Sequence, residues 1–126
     1  KMSLWNQTLN DSFGSSTFIP STEDLLSIFN KCMNRPNHFA VNLARLLFTK
    51  QELRDSNCRG VKQKHPLDEK RLMFIHDSVM KFYQISPHAQ VNVWKHCMQG
   101  IDTRCRQEKT PEAPRIAFVR FYYHYL

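Results

Sequence analysis

The chain has 126 residues, 41% hydrophobic and 23% charged, with a formal charge of +7 when histidine is neutral. That length is about one domain, leaves no room for a second independent core, and with this composition excludes wholesale disorder. No apolar run approaches the roughly 20 residues a membrane-spanning helix needs, and four cysteines without short regular spacing do not make a disulfide framework, so they read as reduced thiols of an intracellular protein.

Residues 1–20 are rich in Ser, Asn and Thr with scattered aromatics and carry neither helical nor strand periodicity, so they read as an N-terminal extension. Helical signals begin at Ser21, an N-cap with Asp24 three positions on, followed by Leu25, Leu26, Ile28, Phe29 and Met33. The stretch NRPN stops this helix. Phe39, Val41, Leu43, Leu46, Leu47 and Phe48 form a second apolar-periodic segment, and Thr49 with Glu52 has the spacing of another capping box, predicting one short helical turn that ends near Ser56.

SNCRGVKQKHP is then the main internal loop, with Gly60 suited to a left-handed turn and Pro66 to the start of the next helix. That helix is expected over about Leu67 to Gln84, with Leu72, Ile75, Val79 and Phe82 on one side and Met73, Phe74 and Tyr83 widening the stripe. Ser86 and Pro87 open the last long helix as N-cap and first-turn residue. After Pro111 and Pro114, the segment IAFVRFYYHYL is aromatic enough for a strand and equally able to form a packed amphipathic helix. The expected fold is all-α, a compact bundle of about four to five helices, with the extension at 1–20, the helical domain at 21–109 and an aromatic segment packing on it at 110–126.

On a 3.6-residue helix, Asn92 to Arg106 separates into two faces. Trp94, Cys97, Met98, Ile101 and Cys105 share one, with Val91 extending it, and point to the core. Asn92, Lys95, His96, Gln99, Thr103 and Arg106 share the other, which consists of cations and hydrogen-bonding groups. A zinc site would need short-spaced ligand pairs, whereas the adjacent His96 and Cys97 diverge by about 100° on a helix. Cys58, near Arg59 and His65, is the best placed thiol for a lowered pKa. Nothing supplies the base and oxyanion donors of nucleophilic catalysis, so it reads as a semi-buried loop residue of a protein that is not an enzyme and needs no cofactor or metal.

The charge is uneven. From Arg54 onward there are 13 basic and 7 acidic residues, against 5 and 4 before it, so the basic surface belongs to the C-terminal half and its partners are phosphate polymers, acidic proteins or anionic surfaces. Arg59, Lys62, Lys64 and His65 form a second basic cluster, and two such clusters can flank one nucleic-acid backbone as phosphate anchors. Whether the loop and the last helix lie side by side is not derivable from spacing.

FAVNLARLLFTKQELRDSNCRG, PLDEKRLMFIHDSVMKFY and VWKHCMQGIDTRCR, in this order, resemble the BEN domain, a small all-helical module of chromatin and transcription factors. The features that carry the likeness are Leu47-Phe48, Glu52-Leu53, Ser56-Asn57, Gly60, Trp94, Ile101 and Cys105-Arg106, each weak alone and moderately specific together, over about Ser21 to Arg106. The resemblance implies sequence-selective binding to double-stranded DNA by a nuclear transcriptional regulator, often a repressor, with corepressor or chromatin proteins, or a second copy on DNA, as further partners. It implies that the last helix and its following loop approach the major groove. Together with the face analysis it makes Lys95, Gln99, Thr103 and Arg106, flanked by Asn92 and His96, the expected groove contacts. Arg59, Lys62, Lys64, Arg104, Lys109 and Arg115 are the expected phosphate contacts. The rival reading is a protein-interaction or dimerisation module using Phe118, Phe121, Tyr122, Tyr123 and Tyr125. No target motif is legible.

Overall fold

The computed structural model of the chain describes residues 19–109. The expectations for residues 1–18, for the aromatic segment and for Arg115 therefore lie outside the described residues. The described part is helical, as expected: α1 (Thr22–Cys32), α2 (Pro36–Leu47), α3 (Lys50–Asp55), a two-residue parallel pairing of β1 (Ser56–Asn57) with β2 (His65–Pro66), α4 (Glu69–Phe82), a 3-10 turn at Pro87–Ala89, and α5 (Gln90–Gln107).

Local chemistry sets most helix starts. At α1, Ser21 Oγ accepts from the Asp24 N–H at 3.0 Å and the Asp24 carboxylate accepts from the Ser21 N–H, a complete capping box. Thr49 and Glu52 do the same for α3 at 3.1 and 2.8 Å. The first turn of α4 departs from expectation. Pro66 lies in β2, and the N-cap is Asp68, whose carboxylate accepts from the Arg71 N–H at 3.0 Å, so the helix begins three residues after the proline. Ser86 makes no side-chain cap; Pro87 opens a 3-10 turn that feeds α5 directly.

Helix α2 is the centre of the bundle. Phe39, Ala40, Leu43, Ala44 and Leu47 are buried, and the helix packs against α5, α4 and α1. Small residues bring the helices close: a Cβ at Gly100 of α5 would stand only 3.0 Å from Val41 Cγ2. At one end, Phe29, Phe39, Phe82 and Tyr83 interlock with ring centroids 4.9–6.0 Å apart, joining α1, α2 and the end of α4. Each fully buried large side chain here contributes roughly 1.5–3 kcal/mol.

Three apolar assignments are corrected. Met73 is 49% exposed, and α4 instead buries Phe74, Ile75, Ser78, Val79 and Met80, so its inner stripe is rotated from the expected one. Val91 is 77% exposed, while its neighbour Val93 in the same turn packs against the core instead. Trp94 is half-buried, its indole set edge-on to the His76 ring at 5.1 Å on α4 rather than enclosed.

The ends of three helices converge on Arg71. Its guanidinium donates to both Glu52 oxygens at 2.8 and 3.1 Å, to the Leu47 carbonyl at 3.0 Å and to Asp68 at 3.3 Å, while lying 4.5 Å from the centroid of the Phe48 ring. The hydrogen bonds from Arg71 hold the Glu52 carboxyl below its ordinary pKa, against a smaller opposing effect of burial. Arg71→Ala is expected to cost about 2–3 kcal/mol in urea unfolding, because a charged hydrogen-bond network and a cation–π contact are lost. Arg71→Lys should recover less than half of that, since an ammonium cannot span the bidentate geometry. A depressed carboxylate pKa stabilises above the unfolded value and is lost as pH falls through the folded one. The denaturation midpoint should therefore drop across the acid carboxylate range, with a shallower drop in Glu52→Gln.

Candidate nucleic-acid interface

The basic loop leaves α3 through β1 and returns through β2, and its backbone is clamped from within. Asn57 Nδ2 donates to the Val61 carbonyl and Asn57 Oδ1 accepts from the Val61 N–H, both at 3.0 Å. Gly60 takes the expected left-handed conformation, with φ 70°, and a Cβ there would meet the Pro66 ring at 2.8 Å. Lys62 and Gln63 are left-handed too, with φ 57° and 64°, and the Lys64 N–H donates to the Val61 carbonyl at 3.2 Å. Positive φ at both central residues with that bond is a turn of the I′ kind, which normally carries Asn or Gly.

Loop and helix do lie side by side. Asp102 Oδ1, on α5, accepts the backbone N–H of Cys58 at 2.8 Å, and Cys58 Sγ donates to the Met98 carbonyl at 3.8 Å. Asp102 is the residue that sequence reasoning missed. The available signal was an acid at the edge of an otherwise cationic face, where a carboxylate needs a specific partner to be worth its charge.

Of the singled-out α5 residues, Asn92, Lys95, His96, Gln99, Thr103 and Arg106 are all exposed. Cys97, Ile101 and Cys105 are buried on the opposite side, so the expected division of this helix holds. The polar residues are not equivalent. Asn92 and His96 line a notch of about 250 Å³ with Pro36 and Asn37 at the start of α2. Thr103 Oγ1 donates to the Gln99 carbonyl at 2.9 Å and accepts from Arg106 Nη2 at 3.0 Å, which pins the Arg106 side chain along the helix.

The basic residues also differ. Arg59, Lys62 and Lys109 are exposed. Lys64 is half-buried and its Nζ donates to the Arg54 carbonyl at 2.8 Å. Arg104 is half-buried and paired with Glu108 at 3.0 Å. Both therefore spend part of their charge inside the domain.

The cysteines are four free, buried thiols. Cys58 does not have a lowered pKa: burial first, then the negative charge of Asp102, push it well above the ordinary thiol value, and Arg59 offsets little. Burial likewise raises Cys97 to about 12 and Cys105 to about 11. The expected nearby cations lose to desolvation. Among the described residues, no three His, Cys, Asp or Glu side chains are grouped to hold a metal ion, and no helix is long and apolar enough to cross a membrane.

A protein-family model described as the BEN domain matches residues 38–109, more than half of the chain, from the first turn of α2 to just beyond α5. The chain belongs to the BEN domain family. BEN domains are in general DNA-binding and protein-interaction modules rather than enzymes, and are typical of nuclear, chromatin-associated proteins. A comparison with curated protein sequences returned no match. In this BEN domain, α1 precedes the matched region yet places Leu25 and Cys32 in the same core.

Near neutral pH the native BEN domain should react with a maleimide far more slowly than the urea-unfolded chain, in which all four thiols become available. Asp102→Ala should hasten labelling of Cys58 and cost about 1–3 kcal/mol, because a buried backbone donor loses its acceptor. Asp102→Asn, which keeps an acceptor oxygen, should restore most of both.

Proposed function

We propose that this BEN domain binds double-stranded DNA with sequence selectivity, as part of a nuclear transcriptional regulator that acts as a repressor. The single observation that carries the reading is the Asp102–Cys58 hydrogen bond, which sets the basic loop beside the polar face of α5. Duplex recognition needs both kinds of group on one surface: cations that grip phosphates, and hydrogen-bonding side chains that reach base edges.

In this reading α5 approaches the major groove with Lys95, Gln99 and Arg106, whose side-chain chemistry suits base edges. Thr103 orients Arg106 through the hydroxyl contact described above. Asn92 and His96 stand at the edge toward α2, where their notch offers an apolar wall through Pro36 and Val93. Arg59, Lys62 and Lys109 grip phosphates. Lys64, bonded to the Arg54 carbonyl, braces the loop and adds its charge to this surface. Arg104, expected as a phosphate contact, leaves α5 on the other side, paired with Glu108, and is not part of it. Corepressor or chromatin proteins and a second copy on DNA are the further partners this function calls for.

Five exposed cations, Arg59, Lys62, Lys95, Arg106 and Lys109, give a slope of log affinity against log salt of about −4 to −5, near −0.9 per neutralised phosphate. Fluorescence anisotropy on duplexes selected from a random pool measures it, and a slope near zero would defeat the reading. Gln99→Ala or Arg106→Ala should lose about 1–3 kcal/mol of discrimination between the selected duplex and a scrambled one. Lys62→Ala should weaken both duplexes alike and flatten the slope by about one unit.

A further inference from the structure

A second basic surface lies elsewhere on the molecule. Adjacent residues are about 100° apart on a helix, so Arg104 and Glu108 leave α5 on the side away from Gln99 and Arg106. They form one wall of a cleft of about 370 Å³, closed on the other sides by α1, α2 and the start of α3. The volume falls within the range of about 300–1,000 Å³ typical of binding pockets.

The lining has two parts. Ile28, Leu46, Phe48 and Leu53 make an apolar floor, of which Leu46 remains 40% exposed. Lys31, Arg45 and Lys50 stand on the rim, all exposed, each from a different helix, and without an ion-pair partner among the described residues. With Arg104 they make four cations against the single carboxylate of Glu108, which Arg104 already occupies at 3.0 Å. The Nε of Arg104 is buried with no acceptor.

We propose that this cleft docks an acidic peptide segment of a partner protein, one that sets large apolar side chains on the floor and Asp or Glu side chains against Lys31, Arg45 and Lys50. Charge complementarity selects this occupant. A solvated basic face would not need an exposed leucine between its cations, and a phosphate backbone has no aliphatic group to place there. Residues 116–126 of the chain itself bring apolar groups, but they also bring Arg120 and no acid, the wrong sign for this rim. The inference does not depend on duplex binding and assigns the two events to different faces.

The test is fluorescence anisotropy of the full chain with a fluorescein-labelled peptide of Asp-Glu-Leu-Asp-Asp-Phe-Glu-Leu pattern. The control is the same peptide with every Leu and Phe replaced by Ser. The proposal expects the first peptide to bind about tenfold more tightly than the control, and Arg45→Glu and Lys50→Glu each to weaken it about tenfold. Both substitutions are at exposed positions, and circular dichroism melting verifies each fold. Saturating duplex DNA should leave the peptide bound, and Arg45→Glu should leave duplex affinity unchanged. Four results would overturn the proposal: no binding by the unaltered chain, equal binding of the Ser control, displacement or altered affinity of duplex, or displacement by a synthetic peptide of residues 116–126. The third would make the cleft a nucleic-acid surface, and the fourth would make it the seat of the chain's own terminus.

Discussion

Arg71 is the contact on which the remaining geometry rests. Three helix ends leave backbone or capping groups in need of partners: the Leu47 carbonyl closing α2, the Thr49–Glu52 box opening α3, and Asp68 opening α4. One planar guanidinium serves all three and covers the Phe48 ring as well. Its fork geometry is what makes this feasible; a point charge would satisfy one partner at a time. Since α3 delivers the chain to β1, the entry of the basic loop is set by the same node. The route from sequence to surface therefore runs through an ion pair that is only partly exposed, with side-chain accessibilities of 20% for Arg71 and 38% for Glu52.

The second fixed element is the α2–α5 crossing. Gly100 lets α5 approach Val41 and Asn37 of α2 closely, which keeps the buried side of α5 inward and leaves its polar side outward. The two faces of α5 then carry different duties at no cost to each other. Thiols and Ile101 fill space, and the stripe through Gln99 and Arg106 stays wet. Burial keeps those thiols protonated, so the Cys residues near the cations are packing groups and not nucleophiles.

What was legible in the sequence was local. Both capping boxes, the left-handed Gly60 and the wet face of α5 opposite Cys97, Ile101 and Cys105 follow from spacings of three or four residues and from one side chain's steric limits and are found as expected, although Val91 does not join the inner face. What was not legible depends on partners far along the chain. Glu52 and Arg71 are 19 residues apart and Cys58 and Asp102 are 44 apart, and no periodicity reports such pairs. The same holds for α4, where Met73 and Met80 lie seven residues apart and look alike to a hydropathy pattern, yet Met80 is buried and Met73 exposed. Trp94 was misjudged because a large aromatic can settle half-covered on a neighbouring histidine. The placing of the loop beside α5, undecidable from spacing, needed one carboxylate to be seen reaching one amide.

That carboxylate sits four residues before Arg106 and three after Gln99, so the loop is indexed to the rotation of the helix about its own axis. The I′ turn holds Lys62 and Gln63 in the left-handed region against their own preference, and they are kept there by the Lys64–Val61 bond and the Asn57 clamp on Val61. Helix and loop thereby hold their charged groups at one fixed spacing. Under the proposed function a duplex would have to match that spacing, so its shape would contribute to selectivity beside the groups it displays.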